Sequence, residues 1–361
     1  MAPGTGSVVL LVKDIVFIIK NHSIEVVKMI KVGIVGMGIR GSMFARFASQ
    51  NPYVELATFS EPDEKRKKQA EQNWKVKGYS SYDEMYEKES FDAVIITTPD
   101  FMHRDPVIKA LGKKLHVLVE KPFSQRVEEA EEMLVLSRKA RTKCMIAYEN
   151  RWNPVVIQAK KQISNNELGP ILTINGLQSN TVFVPLQMIS WASQTTCGWF
   201  LLSHLLDMTY FLTGKEAVSV YAHGTKKLLK ERGVDTYDYI HSLVKFDDGT
   251  DGMYESLWCL PESFPHVFDV KCSFYGEKGF ITVDFGHQMI DMATTSYKYL
   301  DSLLVDYGKK LVGFPGYMFD DFIDCIRLDL PSGASFEDGY RNTRLLVALH
   351  RSLQSGLEEK T

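Results

Sequence analysis

Three glycines stand at the spacing of a phosphate-binding turn. Gly36, Gly38 and Gly41 follow an apolar run and precede a stretch with helical periodicity, so the pattern predicts strand, turn and helix. In such a turn the first glycine bends the chain, the second admits a pyrophosphate and the third allows close packing. Ile39 and Arg40 then begin the helix, where an anion is stabilised. The turn predicts dinucleotide binding.

A carboxylate about twenty residues beyond this turn favours NAD over NADP. Glu61 ends the second predicted strand, where such a side chain accepts hydrogen bonds from the adenosine ribose hydroxyls. Its charge repels a 2′-phosphate, although Lys65 and Arg66 nearby soften that repulsion. In an alternative interpretation, Glu61 is an acid that the dipole of the following helix stabilises. NAD is the cofactor that the sequence predicts.

A carboxylate and an ammonium stand together at the end of another buried strand. Glu120 and Lys121, followed by Pro122, come directly after an apolar run. Ligands bind at the carboxyl ends of the strands in open α/β sheets. A lysine that is partly desolvated beside a positively charged nicotinamide has a lowered pKa and can accept a proton from a substrate hydroxyl. The alternative is an exposed pair without a catalytic role.

The elements that must position these residues alternate between strand and helix, which predicts a doubly wound parallel sheet of the Rossmann type over residues 29–150. The strands are predicted at residues 32–35, 54–59, 93–97, 116–120 and 144–148, and the helices at residues 63–72, 104–111 and 126–139. Residues 1–28 precede the first strand of this unit and are assigned to an N-terminal extension.

The second part of the chain has a different pattern, with strands that follow one another. They are predicted at residues 172–178, 218–222, 240–246, 252–258, 267–275 and 280–283, with helices at residues 198–212, 317–328 and 336–353. The turn at residues 247–250 predicts an antiparallel hairpin. We therefore predict an α+β domain over residues 151–361, with a large, mostly antiparallel open sheet. Its uncovered face predicts homo-oligomerisation.

Composition limits the classes of partner. With 361 residues the chain has room for two domains, and a net charge of −3 gives no basic surplus for nucleic acid. Five scattered cysteines without metal-ligand spacing favour the reducing cytoplasm. No apolar segment has the length of a membrane span, and we expect neither a signal peptide nor a membrane partner.

Four stretches of the sequence resemble the glucose-fructose oxidoreductase/inositol dehydrogenase (Gfo/Idh/MocA) family, and the resemblance extends over nearly the whole chain from Met29. These stretches are residues 36–41, 97–103, 120–122 and 198–207. The Glu-Lys-Pro stretch, in its strand context, is the most specific of them. The resemblance implies an NAD-dependent oxidoreductase with a second, substrate-binding domain.

By this resemblance the nicotinamide side of the cofactor lies at Thr98, Pro99 and His103, and Asn150 is also assigned to the cofactor. Asp100 replaces the usual asparagine of the family, so a hydrogen bond that the amide donates is lost when the carboxylate is ionised. For His103 a structural or capping role is the open alternative. Glu120 and Lys121 complete the predicted cofactor site.

The resemblance also implies that Lys121 and His204 share the acid–base work. Phe200, one helical turn before His204, stands where the family has an aspartate. His204 and Asp207 lack a third ligand at useful spacing, so we expect no metal. The residues assigned to the substrate side are Arg151, Trp152, Trp191, Trp199, Phe200 and Asp207. Core packing is the open alternative for the tryptophans.

The predicted reaction is oxidation of a secondary ring hydroxyl on a sugar, glycoside or cyclitol, with hydride transfer to the nicotinamide. The preferred substrate is a glycoside oxidised at C3, because some family members carry out this reaction and Phe200 indicates an atypical pocket. Two alternatives stay open: a redox-assisted glycosidase that regenerates its NAD, and a catalytically silent NAD-dependent sensor.

Overall fold

The computed structural model describes residues 8–12, 15–20, 23–286 and 290–361. Its first strands are β1 (Val8–Val12), β2 (Ile15–Lys20) and β3 (Ser23–Lys28), which form an antiparallel sheet of their own. This sheet belongs to the predicted extension. Residues 1–7, 13–14 and 21–22 of that extension lie outside the described residues.

A six-stranded parallel sheet with helices follows, as predicted. Its elements are β4 (Ile30–Val35), α1 (Ile39–Gln50), β5 (Val54–Ser60), α2 (Glu64–Trp74), β6 (Gly78–Tyr79), α3 (Tyr82–Lys88), β7 (Ala93–Ile96), α4 (Arg104–Gly112), β8 (His116–Val119), α5 (Val127–Ala140) and β9 (Cys144–Ile146). The strand order is β6-β5-β4-β7-β8-β9, and every pair is parallel. This is the doubly wound Rossmann topology.

The strand order places the predicted cofactor residues along one edge of this sheet. The chain leaves β4 toward β5 on one side and returns to β7 on the other, so the order reverses at β4. The glycine turn follows β4, Glu61 follows β5, Thr97 follows β7 and Glu120 follows β8. All four segments therefore meet at the carboxyl ends of neighbouring strands, where open α/β sheets bind ligands.

The second part of the chain contains the predicted α+β arrangement. Its elements are α6 (Pro154–Ser164), β10 (Ile171–Thr181), α7 (Ser203–Thr213), β11 (Ala217–Thr225), α8 (Leu228–Glu231), β12 (Tyr239–Phe246), β13 (Asp251–Leu260), β14 (Phe268–Gly276), β15 (Gly279–Asp284), β16 (Asp291–Ala293), β17 (Tyr297–Tyr299), β18 (Leu304–Tyr307), β19 (Lys310–Gly313), α9 (Phe314–Arg327), α10 (Phe336–Ser355) and β20 (Glu359–Lys360).

A seven-stranded sheet organises this second part. Its order is β15-β14-β10-β13-β12-β11-β20, with β10 and β13 parallel and the other neighbours antiparallel. Along β12 every second residue is buried, and the buried side packs in one core with α7 and α10. The alternate residues on the opposite side are exposed. The open sheet face that the sequence predicts is thus present in the chain.

One helix of the second part returns to the Rossmann core. Met318, Phe319, Phe322 and Ile323 of α9 are fully buried among the core residues of the parallel sheet and its helices. The ring of Phe319 lies 6.3 Å from that of Phe44 on α1. A domain boundary at residue 150 therefore separates the two large sheets. It does not separate the two hydrophobic cores, because α9, which lies far beyond residue 150, packs into the core of the first domain.

Candidate active site

The glycine turn has the shape that the spacing requires. Gly36 has a φ of +92°, which favours glycine. A Cβ at Gly41 would lie 1.9 Å from the carbonyl oxygen of Gly36, so the helix approaches the turn too closely for a side chain. At Gly38 a Cβ would have no described atom within 4 Å. Each glycine therefore meets a different requirement, and the space at Gly38 is open to a pyrophosphate.

The helix after this turn presents free amides to that space. Among the described residues none caps the start of α1 with its side chain, and Gly38 occupies the cap position. The uncapped N–H groups and the helix dipole favour an anion there. Ile39 is 69% exposed beside them. The turn and helix thus fit the diphosphate of a dinucleotide.

Glu61 lies beside the turn, and its carboxylate is oriented by three donors. The backbone N–H of Met37 donates to Oε2 at 2.8 Å, while the N–H of Asp63 and the Arg66 guanidinium donate to Oε1 at 3.0 and 2.9 Å. A carboxylate has about four acceptor positions, so Oε2 can still accept from a ribose hydroxyl. This arrangement fits the predicted ribose contact.

Arg40 connects the glycine turn to the Glu-Lys-Pro loop. Its Nε lies 2.5 Å from Oε1 of Glu120, and its Nη2 lies 3.3 Å from Oε2 of Glu149. Both carboxylates are mostly buried, whereas the arginine side chain is 30% exposed. The ion pairs hold the end of β8 against the start of α1, and they give Arg40 a positioning role at the cofactor site.

Lys121 is buried at the centre of the site, 9% exposed. Its Nζ donates to the carbonyl oxygen of Phe200 at 2.8 Å and lies 4.2 Å from the centre of the Phe200 ring. Burial lowers the pKa of Lys121, and the Asp100 and Glu120 carboxylates only partly offset this effect. A buried amine with a lowered pKa is suited to proton transfer.

The residues opposite Lys121 belong to a widened helical turn. Residues Gly198–Leu202 form a π-helical turn that leads directly into α7. Such turns are rare and are frequent at functional sites. Phe200 lies in this turn, so its ring and its carbonyl both face the Lys121 ammonium. At the position where the resemblance implies an aspartate, Phe200 therefore offers the ammonium a cation–π contact and a neutral carbonyl acceptor.

His204 begins the regular part of α7 close to Lys121. Among the described residues its Nδ1 has no hydrogen-bond partner, although that atom is buried. Burial and the Lys121 charge hold the pKa of His204 well below its usual range. The ring is therefore neutral at pH 7 and has a nitrogen available to accept a proton.

The loop after β7 is fixed by hydrogen bonds to both domains. Both ring nitrogens of His103 face carbonyl oxygens, Nδ1 that of Pro122 at 2.8 Å and Nε2 that of Thr98 at 3.0 Å. Asp100, which follows Pro99, is 4% exposed and accepts a 2.7 Å hydrogen bond from the Thr195 hydroxyl. Burial raises the pKa of Asp100. His103 thus ties the Thr98 loop to the Lys121 loop.

Two residues predicted on the substrate side instead pair with each other. Arg151 donates to both carboxylate oxygens of Asp207, at 3.0 and 2.5 Å, and to Asp338 at 3.2 Å. The Arg151 and Asp207 side chains are 7% and 3% exposed. Asn150 is buried beside Arg151, and its carbonyl accepts from the N–H of Asn153. This ion pair favours a structural role for Arg151 and Asp207, and their assignment to the substrate side stays a prediction.

The predicted aromatic residues divide into packing residues and site residues. Trp199 is 6% exposed and stacks on His350 with ring centres 4.4 Å apart. Trp152 packs so closely on Gly333 that a Cβ there would lie 2.5 Å from its Cζ2. Trp191, in contrast, packs against Phe200 near Lys121. Of the three tryptophans, Trp191 is the one that the structure brings to the site.

Sequence reasoning missed two polar residues that the site uses. The Thr195 hydroxyl donates a hydrogen bond to Asp100, which lies 95 positions away in sequence. Glu149 forms an ion pair with Arg40, which lies near the start of the same domain. The sequence contains no periodicity or motif that links such distant positions. Within the described part of the chain, no group of three or more His, Cys, Asp or Glu residues could hold a metal ion. The helices that the structure describes are also too short or too polar to cross a membrane.

Comparison with protein families gives two matches that together span most of the chain. Residues 30–148 match the Gfo/Idh/MocA description "Oxidoreductase family, NAD-binding Rossmann fold". Residues 160–358 match the companion description "Oxidoreductase family, C-terminal alpha/beta domain". The matched ranges agree with the parallel and the mixed sheet.

Similar proteins with assigned functions act on sugars and cyclitols. The NAD-dependent scyllo-inositol 2-dehydrogenase of Bacillus subtilis is 23% identical over 336 residues, which cover 91% of this chain and 95% of the relative. Glucose-6-phosphate 3-dehydrogenase of the same organism is 25% identical over 346 residues, 88% of this chain and 94% of the relative. Both alignments span the two domains.

Solved structures share the fold. Scyllo-inositol dehydrogenase from Lactobacillus casei, with NAD(H) and scyllo-inositol bound, gives a TM-score of 0.78 at 19% identity and covers 92% of this chain and 99% of that chain. GenD2 from gentamicin A biosynthesis, in complex with NAD, gives a TM-score of 0.82 at 17% identity and covers 93% and 97%. The likeness therefore extends over both domains.

Proposed function

The chain belongs to the Gfo/Idh/MocA family of NAD-binding oxidoreductases, and from this premise we propose that it oxidises a secondary ring hydroxyl of a sugar, glycoside or cyclitol. The inositol and sugar dehydrogenases among its relatives support this substrate class. NAD, when bound, accepts the hydride from the carbon that carries the hydroxyl. The residues of this chain bind and orient the substrate and accept its hydroxyl proton.

The observation that carries the proposal is the buried pair of bases. Lys121 follows β8 at the carboxyl edge of the parallel sheet, its charge acts on His204 of α7, and burial lowers the pKa of each. The Lys121 charge repels a proton on the His204 ring and burial adds to this effect, so the neutral form of His204 is favoured. A lysine with a lowered pKa and a neutral histidine beside the predicted nicotinamide site are suited to removing a hydroxyl proton.

In the proposed reaction, a side chain of this chain takes the hydroxyl proton of the substrate. Lys121 would hold the hydroxyl oxygen and accept its proton. His204, which is neutral and has an unpartnered Nδ1, is the second candidate to accept that proton. Arg40 and Glu120 keep the loop of Lys121 against the cofactor turn. The reverse reaction returns the proton through the same two residues.

A glycoside oxidised at C3 is our preferred substrate within this class. Phe200 replaces a carboxylate with an apolar ring, which reduces the polar contacts available to a free polyol such as inositol. A relative that oxidises C3 of a glucose phosphate supports the position on the ring. The choice of a glycoside oxidised at C3 therefore depends on the apolar character of the surface that Phe200 presents to the substrate.

A substrate panel tests the proposal directly. Purified protein with NAD is expected to form NADH with at least one sugar, glycoside or cyclitol, and Lys121→Ala is expected to abolish this rate. Lys139→Ala, at an exposed position near the end of α5, is the matched control and should retain it. Glu61→Ala is expected to reduce the preference for NAD over NADP. No NADH with any member of the panel refutes the proposal.

Cleavage of a glycoside without net NADH would instead identify the redox-assisted glycosidase. In that reaction the cofactor is reduced and oxidised again within one turnover. Binding of NAD and sugar without either reaction would identify the silent sensor. The same panel, followed by both absorbance and product chromatography, separates these outcomes.

We also propose that the open sheet face forms a homo-oligomer. Tyr221, Leu243 and Met253 lie side by side across β11, β12 and β13, and each is more than 40% exposed. A contiguous apolar row of this kind is costly to leave in water. Light scattering is expected to give a multiple of the chain mass, reduced in Met253→Asp. A mass of one chain for the wild type contradicts this assignment.

The five cysteines support a reducing compartment. All five are free in the structure, and four of them are buried. Unpaired thiols persist where glutathione and thioredoxin keep them reduced. We therefore place the enzyme in the cytoplasm, and fractionation of cells that express the tagged protein is expected to recover it there.

A further inference from the structure

Four aromatic side chains form a continuous row that starts in the core of the second domain, passes beside Lys121 and ends at the protein surface. We call Trp258, Phe200, Trp191 and Phe101 the aromatic row. Successive ring centres are 5.6, 6.2 and 6.3 Å apart, with tilted or edge-on contacts. Such distances are those of packed aromatic pairs.

Exposure increases along this row from the inside outward. Trp258 is fully buried, Phe200 and Trp191 are partly exposed, and Phe101 is 37% exposed. Met102, next to Phe101, is 47% exposed. The row therefore runs from the core of the second domain, past Lys121 at Phe200, to the exposed side chains of Phe101 and Met102.

A groove continues the row on the surface. Phe101 and Met102 line it together with Tyr82. Exposed aromatic and thioether groups that adjoin a pocket are typical of ligand contact rather than of a solvated surface. The groove thus continues beyond Phe101 with apolar contacts from Tyr82 and Met102 among charged side chains.

The charged residues of the groove disfavour an anionic ligand. The Arg104 guanidinium donates to Glu132 and Asp105, and Arg126 lies 3.8 Å from Glu129. Both arginines that line the groove therefore have carboxylate partners. A phosphate would have to displace these partners, whereas a neutral group would not.

We propose that the aromatic row and its groove form a subsite for the aglycone of the substrate, and that this aglycone is a neutral, flat aromatic group. The inference rests on the proposed function, since the row passes Lys121 at Phe200, where the sugar is proposed to bind. Phe200 contacts the sugar side, and Trp191 and Phe101 contact the aglycone. An aromatic ring placed there gains stacking contacts that a methyl group cannot provide.

Calorimetric titration with two glycosides tests this subsite. Phenyl glucoside and methyl glucoside of the same anomer are titrated into the protein saturated with NADH, so that binding is measured without turnover. The phenyl compound is expected to bind about tenfold more tightly than the methyl compound. This preference is expected to fall severalfold in Trp191→Ala and in Phe101→Ala.

Tyr307→Ala is the matched control, because Tyr307 is an aromatic residue 77% exposed on β18, outside the row. It should retain the wild-type preference. Equal affinity of the two glycosides, absence of binding by both, or an unchanged preference in both row variants overturns the subsite. Failure of the proposed function shows separately, as absence of NADH formation across the substrate panel.

Discussion

Two alanine substitutions in the glycine turn are expected to affect two different properties, the affinity for NAD and the stability of the fold. Gly38→Ala should weaken NAD binding in a folded protein, whereas Gly41→Ala should damage the fold itself. Each adds one methyl group, three positions apart. A Cβ at Gly38 would meet no described atom within 4 Å, whereas a Cβ at Gly41 would lie 1.9 Å from the carbonyl oxygen of Gly36.

The structure sets the size of both effects. Real Cβ atoms stay at least 3.0 Å from such an oxygen, so Gly41→Ala requires a shift of 1.1 Å, the difference between 3.0 and 1.9 Å. Overpacking typically costs about 1–3 kcal/mol. Gly38 has a φ of −71°, which alanine also adopts, so its replacement should change stability by less than about 1 kcal/mol. Its methyl group would occupy the approach of the pyrophosphate and raise the Kd for NAD at least about tenfold.

Fluorescence titration with NADH measures the affinity, and urea denaturation measures the free energy of unfolding. The expected result is a folded Gly38→Ala protein with weak cofactor binding and a destabilised Gly41→Ala protein. Wild-type affinity in Gly38→Ala would refute the placement of the cofactor. A loss of stability in Gly38→Ala equal to that in Gly41→Ala would refute the steric argument.

Two carboxylates give further predictions. Asp100→Asn should move the rising limb of kcat/KM against pH to lower pH, because loss of this charge lowers the pKa of Lys121 further and the deprotonated amine accepts the proton. A pH series with the best substrate measures this shift. Asp207→Asn should reduce the free energy of unfolding by about 3 kcal/mol, as urea denaturation measures. The Arg151 charge stays buried, with Asp338 as its remaining carboxylate partner.

Exposed carboxylates serve as matched controls for both changes. Asp105 pairs with Arg104 and has a side chain 63% exposed, so Asp105→Asn should leave the rising limb of kcat/KM against pH unchanged. Asp306 pairs with Arg46 and is 69% exposed, so Asp306→Asn should change stability by less than about 1 kcal/mol. Equal shifts in Asp100→Asn and Asp105→Asn, or equal losses in Asp207→Asn and Asp306→Asn, contradict the assigned roles.

The parts of the site that lie within one strand–turn–helix unit are predictable from sequence. Gly36, Gly38 and Gly41 have fixed spacing because a single turn must bend, admit a ligand and pack. Glu61 and Lys121 follow predicted strands, and parallel strands align their carboxyl ends. Local periodicity therefore sufficed to place these five residues along one edge of the sheet.

Contacts between distant segments were not predictable in the same way. Asp207 ends a stretch that resembles the family and Arg151 lies outside all four stretches, and nothing in their spacing indicates that they pair across 56 positions. The return of α9 to the first core has the same cause, because an amphipathic helix does not specify which core it covers. The contact of Phe200 with Lys121 depends on the π-helical turn, which has no sequence signal here.

Transfer of deuterium from substrate to cofactor tests the central claim most directly. The protein is incubated with NAD and an active glycoside that carries deuterium at every ring carbon, and the reduced cofactor is analysed by mass spectrometry. The account predicts one deuterium in each molecule of NADH that the wild-type protein forms. It predicts that Lys121→Ala forms no NADH. Conversion of the glycoside without deuterated NADH would contradict a net hydride transfer.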